Sequence, residues 1–451
     1  MSHEILNIND SNISLVSDGS VSYQDQGFIF VDKKDISIGK EALKKWRIFP
    51  KNIINDYWFN LSDDKYKSLD FANYSPAHLI SFHLKEIKNS LRSDHSLTVV
   101  YPPYMNAKQL SLFLGIANAC DISIQAFVQS PVAATRRRYI DSKLVHLDLH
   151  LHGMSVSVMQ NNQDSSIDES LIIGKCGLIE LNKAWAEMIS SVFIEKLRFD
   201  PLHSAKSDQI LYDNLDNWVV CALNNDQVEV KIDFRNQSNA IFIDSPEFHK
   251  AVKSNYRLLV NKLRSIFTKD DFPVIQVSDQ VARLPGIISI LESSFSCKIV
   301  ILDDLEIEMG ATRCIDNDFL SDNPLNKKSL EFDNSPLKVD QNKLQSFHGN
   351  KPTHILFGYE IYKISESPIV IGTMPSDENR FIKIESDAPG ISREHFSIFI
   401  KDDICIIRDL SRYGTFLNKE RIKNETVLQI GDSLSIGSPV KEFILISEGN
   451  F

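Results

Sequence analysis

Between Ile315 and Lys351 the chain changes character, and that break constrains what can fold on either side of it. The segment IDNDFLSDNPLNKKSLEFDNSPLKVDQNKLQSFHGNK is rich in Asn, Asp, Ser, Lys and Pro and poor in periodic apolar residues. Its two steps Asn323-Pro324 and Ser335-Pro336 favour extended or turn geometry over helix. We read residues 316–351 as a linker, with one large unit before it, residues 1–315, and a small one after it, residues 352–451.

The two sides carry different patterns. After the break, short apolar or alternating runs recur with turn residues between them, among them His354–Phe357, Ile369–Ile371, Phe381–Ile384, His395–Ile400, Ile404–Arg408 and Glu442–Ile446. That density of short strands predicts an all-β sandwich. Before the break, strands and helices alternate. Leu97–Tyr101 reads as a buried strand ending in Pro102-Pro103, and Asn106–Ala119 has the helical spacing of Leu110, Phe113, Leu114 and Ala117. Ile122–Val128 reads as a strand, Pro131–Tyr139 as a helix, Leu144–Leu149 as a strand and Phe248–Phe267 as a long amphipathic helix. Val274–Val277, Leu284–Phe295 and Lys298–Leu302 then read as strand, helix and strand. This alternation predicts an α/β layered fold.

Composition narrows the function classes. With 43% hydrophobic and 24% charged residues, the 451-residue chain has the makings of an ordinary globular protein with at least two cores. A net charge of −11 disfavours a broad electrostatic grip on nucleic acid or on an acidic membrane surface. No apolar run approaches the ~20 residues of a membrane span, and Met1–Asp10 has neither the basic nor the apolar region of a secretory leader. The six cysteines are scattered with no CxxC pair, which predicts free thiols in a reducing cytoplasm.

Several motifs in residues 1–315 follow a specific order. They are Ile5–Leu15 (ILNINDSNISL), Val100-Tyr101-Pro102-Pro103-Tyr104 with Asn106 and Gln109, Ser130-Pro131-Val132-Ala133-Ala134, Leu144–Met159, Ile173–Leu181, Ile275–Pro285 and Glu308-Met309-Gly310-Ala311. In this order they resemble the ATPase domain of DnaK-type heat-shock chaperones, within the actin and sugar-kinase superfamily. The resemblance implies a two-lobed actin-like fold that holds a nucleotide between glycine-rich hairpins, where bare backbone approaches the phosphates. All three ligand loops depart from the family's pattern. Asn7 and Asn9 stand where the family has Asp and Gly on the first hairpin. Asp148 is kept on the second, but His150, Leu151 and His152 follow in place of glycines. Ser278 and Asp279 replace the two glycines of the adenosine segment. The family's hydrolytic Lys and Glu have no secure match. The expectation is therefore a pseudo-ATPase with a vestigial cleft and no cofactor. The alternative is an active ATP- and magnesium-dependent switch or chaperone whose nucleotide state controls the C-terminal domain. Alternation along a strand would put Asp148, His150 and His152 on one face, an arrangement with some of the makings of a metal site. Without a further ligand we expect a polar cleft lining and no metal.

Residues 353–451 carry Ile371-Gly372, Ser392-Arg393-Glu394-His395, Asp409–Asn418 (DLSRYGTFLN), Leu428–Asp432 and Ile436-Gly437. In this order and spacing they resemble a forkhead-associated (FHA) domain, an eleven-stranded sandwich that binds phosphothreonine peptides through the loops at one end. The resemblance implies a phosphopeptide rim of Thr373, Ser392, Arg393, Ser411, Arg412 and Tyr413, with His395 bracing the serine loop from inside. A phosphate dianion needs charge-assisted donors in a fixed cradle. Thr373 replaces the family's phosphate-contacting Arg, and Tyr413 replaces the Asn that clamps the peptide backbone. Arg380, Arg393 and Arg412 are candidate substitutes. Eleven Lys and Arg against fifteen Asp and Glu in residues 352–451 give no general attraction for an anion. A protein-interaction module without phosphate dependence remains the alternative.

No nucleophile elbow, zincin or P-loop motif occurs, so no catalytic residue is expected. Arg136-Arg137-Arg138 reads as a solvated helix end compensating the dipole. The aromatics Trp46, Phe49, Tyr57, Trp58 and Phe59 read as core filling. The FHA-like domain occupies the place of the chaperone's peptide-binding domain and lid. The chain is expected to be a non-catalytic cytoplasmic adaptor for a protein partner, Thr-phosphorylated on the phosphate-dependent reading, with no nucleic-acid or membrane partner.

Overall fold

The computed structural model describes residues 3–32, 35–67, 71, 73–92, 96–161, 163–235, 237–268, 271–314, 324–338, 352–358, 360–374, 380–384, 389–401, 404–418, 420–422, 425–428, 432–438 and 440–446. The chain divides into two compact units, residues 1–292 with 297–341, and residues 342–451 with 293–296. No helix among the described residues is long and apolar enough to cross a membrane.

The first unit is mixed α/β and contains the same sheet twice. In the first sheet, His3–Asn7 pairs antiparallel with Ile13–Ser17, which pairs antiparallel with Ser20–Asp25. On its other side His3–Asn7 runs parallel to Ser96–Tyr101, and that strand parallel to Ile124–Gln129. In the second sheet, Lys143–Leu149 pairs antiparallel with Gly153–Asn161 and that with Asp164–Gly174. On its other side it runs parallel to Pro273–Val277 and then Lys298–Ile301. Parallel neighbours require crossover connections, and helices Ala107–Ala119 and Ile287–Ser294 lie in two of them. The sequence fixes the first of these sharply. Pro102-Pro103 ends the strand, and Asn106 caps the helix while Gln109 reaches back to the Asn106 N–H.

Each half carries an insertion. The first has a small sheet of Ile29–Asp32 with Asp35–Ile38 and Ile53–Ile54. The second has helices Leu178–Leu197, Ala205–Asn224 and Ser245–Ile266 around the hairpin Gln227–Phe234/Gln237–Asp244. Short helices Ser130–Ala134 and Glu306–Ala311 cross at Gly310, where a Cβ would stand 1.9 Å from the Ala133 carbonyl oxygen. Only glycine permits that approach. Tyr57 and Trp58 are core residues as expected, both donating to His83 Nδ1 at 2.7 and 3.2 Å, whereas Phe49 is half exposed.

Four expectations are corrected. The helix read at Pro131–Tyr139 ends at Ala134, and Arg137–Ile140 is a strand. Arg136 is no solvated helix end: its guanidinium grips Asp333 at 2.7 and 2.9 Å and Glu306 at 3.0 Å. The helix read at Leu284–Phe295 begins only at Ile287, after a turn in which Gly286 takes φ 77° against the His249 ring. The segment read as linker is partly folded. Leu325–Lys327 pairs parallel with Ile124–Gln129 at the edge of the first sheet. Ser329–Glu331 pairs antiparallel with Asp164–Gly174 at the edge of the second. Asn334–Lys338 pairs parallel with Arg137–Ile140. The first unit therefore extends past residue 315; residues 316–323 and 339–351 of the expected linker lie outside the described residues.

The second unit is a β-sandwich. One sheet runs Glu360–Lys363, His354–Phe357, Lys441–Ile446, Ser433–Ile436, Phe416–Leu417 and Glu420–Arg421; the other runs Arg380–Lys383, Ile369–Gly372, Phe396–Lys401, Ile404–Asp409 and Glu425–Val427. Ile355, Ile371, Phe396, Ile398, Ile407, Leu434 and Phe443 fill the space between them. Inward residues alternate with outward ones, as in Lys441–Ile446, where Phe443 and Leu445 are buried.

Candidate functional site

At one end of the sandwich three loops are tied together through Ser392. The Ser392 N–H donates to His395 Nδ1 at 2.9 Å. His395 Nδ1 is thus an acceptor, so the ring carries its proton on Nε2, 3.3 Å from the Gly414 carbonyl. Burial holds this imidazole below its ordinary pKa, against the opposing pull of the Gly414 carbonyl and Asp409. The neutral ring fastens the serine loop to the Ser411–Gly414 turn. Ser392 Oγ accepts from the Arg412 N–H at 3.2 Å, and the Ser392 carbonyl accepts from the Thr373 N–H at 3.2 Å. The turn itself is set by Asp409, which accepts from Ser411 N and Thr415 Oγ1, and by Ser411 Oγ, which accepts from Gly414 N at 2.7 Å.

All six rim residues read from the sequence are therefore brought to one end. Arg393, Arg412 and Tyr413 are exposed there, Tyr413 at 69%. Thr373 turns its donors away from solvent, its N–H at 3.2 Å and its hydroxyl at 3.5 Å from the Ser392 carbonyl. Arg380 is not part of the rim. It lies in register with Ile369 at the far end of its strand and donates to Ser365 Oγ and the Lys363 carbonyl. Sequence reasoning missed Arg421. That residue pairs opposite Phe416, and its guanidinium folds over Gly414. No local motif marks it, because its place depends on strand pairing. Of the closing segment Leu428–Asp432, residues 429–431 lie outside the described residues.

The other candidate region lies between the two sheets of the first unit. Asn9 is its hub. Its amide donates to Asp148 Oδ2 at 3.2 Å and the Leu149 carbonyl at 2.9 Å, and its oxygen accepts from Ser11 and His150 Nδ1. Asn7 donates to Glu308 Oε1 at 2.9 Å. Ser278 caps the short helix Asp279–Ala282, and Asp279 pairs with Arg283 at 3.2 Å. A polar cavity of about 50 Å³ remains, lined by Asn7, Asn9, Asp148, Ser278, Asp279 and Glu308 among others. Pockets for small ligands run to roughly 300–1,000 Å³.

The shared face expected for Asp148, His150 and His152 does not form. The strand ends at Leu149, and His150 to Gly153 close a tight turn through a 2.9 Å backbone bond. His150 turns to Asn9 and Ser155, and His152 to the Asn55 carbonyl. Among the described residues no three His, Cys, Asp or Glu side chains are grouped to hold a metal. Burial pushes Asp148 up to about 7, assisted by repulsion from Asp279 and Glu308 and opposed by a Ser278 hydrogen bond. Asp10, which the motif reading did not single out, is fully buried and pushed up to about 6 for the same first reason. Its Oδ1 accepts from Leu151 N at 2.9 Å while its Oδ2 has no partner among the described residues. Burial holds His150 down to about 3, so it is neutral.

Comparison with known families bears on the second unit. Residues 369–437 match the family model of the FHA domain, which establishes an FHA domain within the second unit. The matched span contains Thr373, Ser392, Arg393, Ser411, Arg412, Tyr413 and Arg421. No curated protein matches the chain.

Proposed function

We propose that the protein is a non-catalytic adaptor of the cytoplasm whose FHA domain binds a Thr-phosphorylated protein partner. The observation that carries this reading is Ser392. Its loop is braced from beneath by neutral His395, and its hydroxyl accepts from Arg412 N, leaving its own proton free to donate to a phosphate oxygen. Exposed Arg393 and Arg412 flank it. The six rim residues Thr373, Ser392, Arg393, Ser411, Arg412 and Tyr413 are the peptide-binding set on this reading.

For the first unit we propose a DnaK-like, actin-type scaffold that binds no nucleotide. Three features support it: the sheet order repeated in two halves, the helix crossing at Gly310, and a cleft filled by Asn9, Asp148 and His150 in place of bare backbone. The six cysteines are free thiols, five of them buried, in keeping with a reducing compartment.

Arrays of phosphothreonine peptides and their unphosphorylated twins, probed with the whole chain, test the first half. Phosphorylated members are expected to bind selectively, with Ser392→Ala and Arg393→Ala each weakening capture by about tenfold. Equal capture of both forms would establish phosphate-independent docking instead. Calorimetric titration with ATP and magnesium tests the second half. No heat is expected, and tight binding with turnover would replace the scaffold by a working switch.

A further inference from the structure

We infer that Arg421 is a phosphate-binding residue of this FHA domain, and that the anion seat lies against the Ser411–Gly414 turn instead of beside Gly372. This rests on the phosphopeptide reading above and locates its cation.

The side on which the family keeps its arginine has little to offer here. Thr373 stands there, with both its donors on the Ser392 carbonyl. Arg380 is held by Ser365 and Lys363 at the opposite end of the strand. Lys383 is in register with Gly372, but it alternates with buried Ile382 and Ile384 and so lies on the outer face of the sheet. Space beside Gly372 is also closed by backbone, since a Cβ there would stand 1.9 Å from the Arg393 carbonyl oxygen.

The other side is differently furnished. Gly414 takes φ 98°, and a Cβ on it would stand 2.4 Å from Arg421 Nε and 3.0 Å from Arg421 Cζ. The guanidinium therefore rests directly on the bare α-carbon of Gly414. Two residues earlier in the same turn, the Arg412 N–H holds Ser392 Oγ. The turn thus holds the serine hydroxyl through the Arg412 backbone at one end and carries the Arg421 guanidinium on Gly414 at the other, and neither the Arg412 nor the Arg421 guanidinium has an ion-pair partner among the described residues. Residues 352–451 carry fifteen acids, so two cations without an ion-pair partner among the described residues, at the end where a phosphate would sit, are a directed feature. A planar guanidinium presents paired donors that match phosphate oxygens, which a lysine on the outer face cannot reproduce.

The experiment is equilibrium binding of the whole chain to its best phosphothreonine peptide from the array, followed by fluorescence anisotropy at several salt concentrations. Arg421→Gln is expected to weaken binding by about tenfold or more and to flatten the salt dependence. Lys383→Ala is expected to change neither. Thr373→Arg, which restores a cation on the other side, is expected to recover much of the affinity lost in Arg421→Gln. Because Arg421 also packs on Gly414, Arg421→Lys serves as a second variant: it keeps stem and charge but loses the fork, and is expected to bind with intermediate affinity at an unchanged melting temperature. Unchanged binding by Arg421→Gln, with Ser392→Ala still weakening it, would overturn this assignment and leave the phosphopeptide reading standing. Indifference of the wild-type chain to phosphorylation would overturn both.

Discussion

At the scale of single residues, Asp148 shows how the polar groups between the two sheets of the first unit satisfy one another. Its carboxylate is fully buried, receives the Asn9 amide, and is raised from the ordinary 3.8 to about 7, by burial first and by Asp279 and Glu308 after it. The native state thus keeps a proton that the unfolded chain releases. Between about pH 4 and pH 7 the folded form binds more protons, so this residue's contribution to stability falls as pH rises through that window. Asp148→Asn keeps an acceptor for Asn9 and cannot ionise. We expect it to stabilise the first unit at pH 8 by on the order of 2 kcal/mol and to have little effect near pH 4. Urea midpoints at the two pH values measure this, and an equal shift at both would show that ionisation is not the cause. The carboxylate itself was legible in the sequence as a polar residue near the end of the apolar strand Lys143–Leu149. Its environment was not, because Asn9, Ser278 and Glu308 reach it from residues more than a hundred positions away. The FHA rim was more legible: Ser392, His395 and Gly414 act within turns of a few residues, where spacing carries the geometry. Arg421 escaped because only strand pairing brings it over Gly414.

At the scale of elements, the stretch from Pro324 to Lys338 carries the main surprise. Its composition reads as linker, with two prolines, two asparagines and no apolar period. Yet it adds an edge strand to each of the two large sheets of the first unit in turn and then pairs with Arg137–Ile140. Strands of three to five residues leave no room for an alternation to declare itself, and their partners are chosen by tertiary contact alone. The attachments are specific. Tyr101 Oη donates to Asn326 Oδ1 at 3.0 Å, Arg313 donates to the Glu331 carbonyl at 2.7 Å, and Leu330 is only 5% exposed. A strap bound to both sheets limits how far the two halves can move against each other. Leu330→Ala is expected to cost the first unit about 2 kcal/mol and to speed amide exchange along Asp164–Gly174. An unchanged urea midpoint would mean that the strap contributes no cohesion. The expected helix at Pro131–Tyr139 failed for the same reason: Arg137–Ile140 is claimed by the strap, and Arg136 by Asp333 and Glu306.

At the scale of the whole molecule, two cores are each built without the other. Leu6, Ile8, Leu79, Leu84 and Phe113 belong to one cluster of the first unit, and Ile371, Phe396, Ile398 and Phe443 to that of the second. Units with separate cores unfold as separate cooperative transitions. The second unit spans residues 342–451 apart from four residues contributed earlier in the chain. At about 0.7 kcal/mol per residue near 60 °C, it should absorb about 75 kcal/mol on melting. The thermogram of the intact chain should therefore resolve into two components, one matching that of the isolated segment 342–451. Three perturbations should then sort cleanly. A bound phosphothreonine peptide at a hundred times its dissociation constant stabilises its own unit by about 2.7 kcal/mol and moves only the smaller component. Asp148→Asn moves only the larger, and only at the higher pH. ATP with magnesium moves neither. A single indivisible transition, or a phosphopeptide that shifts both components together, would mean that the FHA domain and the α/β unit share stability, and the protein would then have to be treated as one coupled device.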